Sequence, residues 1–251
     1  MIDPKAVNRL LNVTTIEELW DIHTRQMADY GFDRLIYGCT RFRTETSLGD
    51  PDDFVILSNH APDYIDTFID QGLYFHAPMV RWSLGNDGAC SWSILNERLA
   101  NGEMTAQERA VLEFNQAHGV TAGYSISFKS LRPRMKAAMA LTARRGTTQA
   151  EVDQLWSEVG ETVLALNNLA HLCILSLPYE SPKRARTSRQ REVLGWVGDG
   201  KTVQDIAMLM ELTPATVEKH LRLARKALSV ETTAQAVLKA AFQNQIFFLD
   251  A

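Results

Sequence analysis

KTVQDIAMLMELTPATVEKHL, residues 201–221, decides how the C-terminal part of this chain folds. Two short helical patterns flank ELTP. Thr202 stands where an N-cap is needed, with Asp205 three residues on, and Thr213 caps a second helix that begins with Pro214. Within that second helix Val217, Leu221, Ala224 and Leu228 fall at i, i+4, i+7 and i+11, so one stripe is apolar. Glu218, Lys219, Arg222, Arg225 and Lys226 are left on the outward side.

Two more capped patterns surround this pair: Thr187 with Gln190, ending at GDG (198–200), and Thr232 with Gln235. Four short helices in about sixty residues predict a small bundle. Its core is expected from Val193, Leu194, Trp196, Val197, Ile206, Ala207, Leu209, Val217, Leu221, Ala224, Leu228 and Val237. A helix with a short basic outer face matches the width of the major groove of B-DNA. The amides of 202–204, beside Lys201, are expected to seat a phosphate.

Charge supports this division. Residues 183–230 carry ten Lys/Arg against five Asp/Glu, a net +5, which leaves −9 on the rest of a chain whose total is −4. Only the C-terminal module is suited to a polyanion. Upstream of it, SLPYESPKRARTS (176–188) has two prolines and little apolar content. Residues 176–186 therefore read as a linker between domains at 1–175 and 187–251.

The front half has a different texture. Leu10, Leu11, Ile16, Leu19, Ile22 and Met27 recur at helical spacing and predict one helix over 4–30. Strands follow at 34–42 and 53–59, then a helix over 62–73 opened by a proline. Residues 104–119 form a helix with a Thr105/Glu108 capping box, 122–131 and 135–143 are strands, and a long helix runs from Thr147 or Thr148 to about 175. The whole is α+β: an N-terminal α-β-α sandwich with an antiparallel sheet, plus a C-terminal all-α four-helix domain.

Several function classes find no support. There is no phosphate loop, no GxGxxG and no Ser-His-Asp or Cys-His context, so an enzyme is not expected. Cys39, Cys90 and Cys173 lack ligand spacing, so neither metal nor cofactor is expected. The run at 172–177 is too short to span a bilayer and the N-terminus has no signal-peptide core, which predicts a cytoplasmic protein. A phosphorylation-controlled response regulator would alternate strands and helices from its start, and this chain opens on a helix.

Residues 186–246 resemble the C-terminal DNA-binding domain of the LuxR/GerE family of bacterial transcription regulators. TSRQREVLGWVGDGKTVQDIAMLMELTPATVEKHLRLARKALSV carries the family's EVL, GKT, IA and TV-x-x-HL. Gln190 replaces the family's usual Glu and still completes the cap. The resemblance implies base reading by Glu218, Lys219 and Arg222, and phosphate contacts by Lys201, Thr202, Thr216 and Arg225 of double-stranded DNA. A single four-helix module buries little surface on DNA, and paired half-sites are the usual way to gain affinity, so a homodimer is expected, with the helices at 148–175 and 232–246 as candidate interfaces.

HAPDYIDTFIDQGLYFHAPMV, followed by CSW, resembles the autoinducer-binding domain of LuxR-type quorum sensors. Pro78, Trp92 and Gly123 match that family's pattern. The resemblance implies a ligand pocket at Tyr37, His60, Tyr64, Phe68, Ala77, Met79, Trp92 and Ala140. It also shows departures. Ala77 stands where the family has the Asp that accepts the acyl-amide N–H of an N-acyl-homoserine lactone. Tyr64 replaces a Trp that donates to the lactone carbonyl, His60 replaces a Tyr, and Ala140 a Ser or Thr. The expectation is a small molecule other than an ordinary acyl-homoserine lactone, or a pocket filled by its own side chains.

Overall fold

The computed structural model describes residues 4–179, 181 and 185–246. Parts of the expected linker (180 and 182–184) and the extreme ends of both expected domains (1–3 and 247–251) lie outside the described residues. Two compact units emerge: Met1–Gly49 with Phe54–Leu175, and Asp50–Asp53 with Ser176–Ala251.

The first unit is built on a five-stranded, wholly antiparallel sheet in the order β2-β1-β5-β4-β3. β1 is Phe32–Thr40, β2 Val55–Ser58, β3 Gly88–Ser91, β4 Gly123–Phe128 and β5 Lys136–Ala143. On one face lie α2 (Ile16–Asp29) and α7 (Gln149–Ser176). There Phe32 meets Trp156 edge-on, Tyr124 stacks on Trp156 at 3.9 Å, and His23 of α2 bonds Asn167 of α7 at 3.0 Å. The opposite face is covered by α3 (Pro62–Ile65), α4 (Pro78–Gly85), α5 (Ser93–Ala100) and α6 (Ala106–Ala117).

The N-terminal helical pattern is two helices, not one. α1 is Pro4–Leu11, and Thr15 caps α2 by accepting from the Glu18 amide at 3.2 Å. The helix expected at 62–73 is also broken. α3 gives way to a π turn over Asp66–Asp70, and after Gly72 (φ +79°) a 3₁₀ turn spans Leu73–His76. The capping box of α6 is present, and its Glu108 carboxylate, buried on the inside, is reached by Arg98 at 3.1 Å. α7 passes by length and composition for a helix that could cross a bilayer, a test that the core helix of a soluble protein passes as well. Its inward stripe, Val152, Val163, Leu166, Ala170 and Ile174, is buried in this unit instead.

The second unit is the four-helix bundle: α8 (Ser188–Gly198), α9 (Val203–Leu209), α10 (Pro214–Ala227) and α11 (Thr233–Phe242). All four expected N-caps form, three of them as reciprocal capping boxes. The tight turn between α9 and α10 places Glu211 in the left-handed region at φ 55°, and the Leu212 amide bonds back to the Ala207 carbonyl at 2.8 Å. That pattern satisfies the carbonyls that the end of α9 leaves open. Val193, Leu194, Ile206, Val217, Leu221, Ala224 and Leu228 form the core. One expected core residue does not: Leu209 is 52% exposed, and Met210 is buried in its stead.

Candidate functional site

Between the sheet and the helices of its second face lies a cavity of 220 Å³. Alternation along the strands sets its floor. Ile36 and Gly38 of β1 pair with Ala140 and Ala138 of β5, and all four line it. The broken 62–76 segment supplies the roof with Tyr64, Phe68 and Tyr74, and α4 adds Met79 and Val80. His60 stacks on Tyr64 at 4.6 Å, and Tyr64 on Phe68 at 5.4 Å and Phe114 at 5.1 Å. The result is a continuous aromatic wall.

Seven of the eight expected pocket residues line this cavity: His60, Tyr64, Phe68, Ala77, Met79, Trp92 and Ala140. Tyr37 does not. It lies on the other face of β1, fully buried, bonded through its hydroxyl to His171 Nδ1 at 2.9 Å and packed near Phe128. A strand turns successive side chains to opposite faces, so with Ile36 in the cavity Tyr37 must face α7.

Two polar handles of the wall are occupied, those of Tyr64 and Trp92, whereas His60 Nε2 and the Tyr74 hydroxyl are buried without a hydrogen-bond partner among the described residues. The Tyr64 hydroxyl donates to Asn115 Oδ1 at 2.9 Å, and the Trp92 indole N–H donates to Ser125 Oγ at 3.0 Å. Sequence reading missed Asn115 and Ser125. Asn115 lies four residues beyond the buried Val111 on α6, and Ser125 two beyond Gly123 on β4, so helical and strand spacing both pointed inward there. Gly123 is itself required by the neighbouring strand, and Trp92 tightens the requirement. A Cβ at 123 would collide with the Leu141 carbonyl and sit 3.0 Å from the indole ring.

Among the described residues no Asp or Glu lines the cavity, and the one Lys or Arg that does, Lys136, pairs with Asp87 at 2.7 Å. Burial holds His60 near pKa 4, with the Arg34 charge acting in the same direction, so it is neutral at physiological pH. Burial pushes the Tyr64 hydroxyl well above its ordinary value. Ala77 caps α4 in an extended conformation (φ −70°, ψ 121°) and offers no side-chain hydrogen bond to the helix amides.

In the second unit α10 presents Glu218, Lys219, Arg222 and Lys226 to solvent. Lys219, Arg222 and Lys226 share a face at i, i+3 and i+7. Arg225 is half-buried and donates to Thr233 Oγ1 at 2.8 Å. Thr216 is half-buried, its amide and hydroxyl both engaged by Thr213. Lys201 is exposed. The phosphate seat expected at 202–204 is partly filled from within, because the Thr202 amide and hydroxyl both donate to Asp205 Oδ2, at 2.9 and 2.7 Å. Those bonds, and the nearby Lys201, hold the Asp205 carboxyl below its ordinary value.

Comparison with known proteins divides the chain in the same two parts. Residues 15–174 match the autoinducer binding domain, and residues 187–240 match the bacterial regulatory proteins of the luxR family. The chain belongs to the LuxR family of transcriptional regulators. The transcriptional activator protein SolR of Ralstonia nicotianae is 26% identical, covering 84% of each chain. AnoR of Acinetobacter nosocomialis, also a transcriptional activator protein, is 23% identical over 93% of this chain and 94% of its own. Among solved structures, the LuxR-family factor CepR2 of Burkholderia cenocepacia, described as N-acylhomoserine lactone dependent, is 19% identical. It superposes with a TM-score of 0.51 over 67% of this chain and 90% of its own, a likeness of fold. The relatives are regulators of transcription and not enzymes, as expected for this LuxR-type chain.

Proposed function

We propose that this LuxR-type regulator couples DNA binding at its C-terminal domain (187–251) to a small molecule held in the sensor domain (1–175), the two joined by a linker at 176–186. The ligand is other than an ordinary N-acyl-homoserine lactone: less polar or aromatic in its head, with His60, Tyr64 and Trp92 as contacts. One observation carries this reading. The carboxylate acceptor for a lactone's amide is missing at Ala77, and Tyr64 and Trp92 are already paired inside the protein, with Asn115 and Ser125, which leaves His60 Nε2 as a buried, unpartnered polar atom of the wall. A buried ligand N–H left without its acceptor costs about 1–3 kcal/mol. The 220 Å³ of open space favours a bound molecule over a pocket packed with its own side chains.

On the DNA side, Arg222, Lys219 and Glu218 read base edges, and Lys201 with its neighbours sets register on phosphates. The homodimer pairs two such helices across half-sites, and the protein works in the cytoplasm, where its DNA is. Gel-shift titrations against matched and mismatched operators test the assignment. Arg222→Ala should relax sequence choice, whereas Lys201→Ala should weaken every site alike and flatten the salt dependence. Equal losses for both variants on both DNAs would remove the distinction.

A further inference from the structure

Two side chains that line the cavity, His60 and Tyr74, each carry a buried polar atom with no hydrogen-bond partner among the described residues: His60 Nε2 and the Tyr74 hydroxyl. A buried donor or acceptor left unpaired costs stability, so each asks for a reason. The neighbouring rings do not supply one. Tyr64 stacks on His60 at 4.6 Å and spends its own hydroxyl on Asn115. Around Tyr74 stand Phe54, edge-on at 6.3 Å, and Phe75, stacked at 4.2 Å, and neither ring has a polar atom. The cavity is the space that both side chains border.

β2 sets the two apart. Phe54, the neighbour of Tyr74, comes just before Val55, where the strand starts, and His60 follows Ser58, where it ends. Four strand residues span about 10 Å. Ile36, Ile56 and Phe68 make the lining apolar between them. Both groups are uncharged at physiological pH. Burial holds His60 near pKa 4 and pushes Tyr74 up to about 12. The one Lys or Arg of the described lining, Lys136, is already paired with Asp87, so a charged ligand would meet no unengaged opposite charge there.

We infer that the sensor cavity takes a neutral molecule with a polar group at each end of an apolar middle: a hydroxyl bonded to His60 Nε2, and a hydroxyl or carbonyl bonded to the Tyr74 O–H. This rests on the reading of the cavity as a site for a ligand other than an acyl-homoserine lactone, and it names the ligand's class and adds Tyr74 to its contacts. A neutral imidazole nitrogen donates or accepts according to its tautomer, and a ligand hydroxyl answers both cases. The tyrosine O–H donates to a carbonyl and to a hydroxyl alike. A plain hydrocarbon would fill the space and leave both atoms unpaired. A molecule with one polar end would satisfy only one of them.

Decanol and the α,ω-diol of decane differ by one terminal hydroxyl, so their comparison isolates the second contact. In an apolar pocket with nothing to meet it, that hydroxyl weakens binding through its desolvation. Here titration calorimetry on the intact chain should show the diol bound at least as tightly as decanol. Tyr74→Phe should cost the diol about tenfold or more, because one ligand hydroxyl is left buried and unpaired. Decanol turns its single hydroxyl to His60 in that variant and keeps close to its wild-type affinity. His60→Phe should act in the same way from the other end. Without ligand, Tyr74→Phe removes a hydroxyl that has no partner, so the melting temperature of the variant should hold or rise. A ligand-free Tyr74→Phe chain that melts several degrees lower would show that hydroxyl to be paired inside the protein. A diol weaker than decanol on the wild-type chain, or one that loses no affinity in either variant, would show that the second contact is not made. Each of these results overturns the two-ended assignment while leaving the apolar cavity standing. Binding of neither compound to the wild-type chain would bring down this inference and the apolar-ligand reading together.

Discussion

Ala77→Asp puts back the acceptor that the family resemblance places at this position, and the structure allows its consequences to be sized. Residue 77 is both the N-cap of α4 and part of the cavity lining. As a cap, Asp in place of Ala gains about 1 kcal/mol, with a few tenths more from the helix dipole. Against this stands the burial of a carboxylate at a site where Ala is 6% exposed, which costs a few kcal/mol without hydrogen bonds and much less when α4's free amides supply them. The terms nearly offset each other. Melting of the apo protein should move by less than about 4 °C. The second carboxylate oxygen then faces the cavity and can accept a ligand amide N–H. A hydrogen bond to a charged group contributes about 1.5–3 kcal/mol, so affinity for N-octanoyl-homoserine lactone should rise roughly ten- to one-hundred-fold. Ala77→Asn is the control. It caps α4 as well but offers a neutral acceptor, and should recover about tenfold or less. Titration calorimetry reads both variants. A folded Ala77→Asp protein with wild-type affinity for the lactone would show that the missing carboxylate is not what excludes that ligand.

Trp92→Phe removes the donor that Ser125 Oγ accepts and leaves a hydroxyl 4% exposed with one fewer partner. A loss of about 1–2 kcal/mol in urea unfolding is expected, and an unchanged midpoint would show that water replaces the indole. Acid should destabilise the sensor domain ahead of carboxylate titration. Burial depresses His23, His60 and His171 from 6.5 to about 4, so each stabilises the neutral folded form fully above pH 6.5. That stability is lost as pH falls from 6.5 toward 4, by about 3 kcal/mol for His23 alone. Urea midpoints flat across that window would contradict the burial of these rings.

The features legible in the sequence were those with local signatures. Thr105, Thr187, Thr202 and Thr232 each announced a helix through a partner three residues on, and each capping box is present. Thr213 with Pro214 placed α10 in the same way. Tyr37 was misplaced because Leu35, Ile36 and Tyr37 are apolar in succession. A strand buried on both faces carries no alternation to reveal which side meets the cavity. The break at 12–15 lacks Gly or Pro, and apolar spacing continues across it. β3 (GACS) is short and made of small residues, so neither its length nor its propensity marked it. Leu209 and Met210 are interchangeable by pattern alone. Only the end of α9 decides which of them turns inward. Asn115 and Ser125 are polar residues at inward positions, and their role emerges only when a helix and a strand are brought against Tyr64 and Trp92.

The most direct measurement of the central claim is a thermal-shift series on the wild-type chain with acyl-homoserine lactones of graded chain length. A ligand present at about one hundred times its Kd stabilises a domain by about 2.7 kcal/mol, which for a domain of this size means a shift of roughly 5–10 °C. The internally paired Tyr64 and Trp92 and the absent acceptor at Ala77 predict shifts of about 1 °C or less for every lactone at micromolar concentration. A lactone that raised the melting temperature by several degrees would contradict the account.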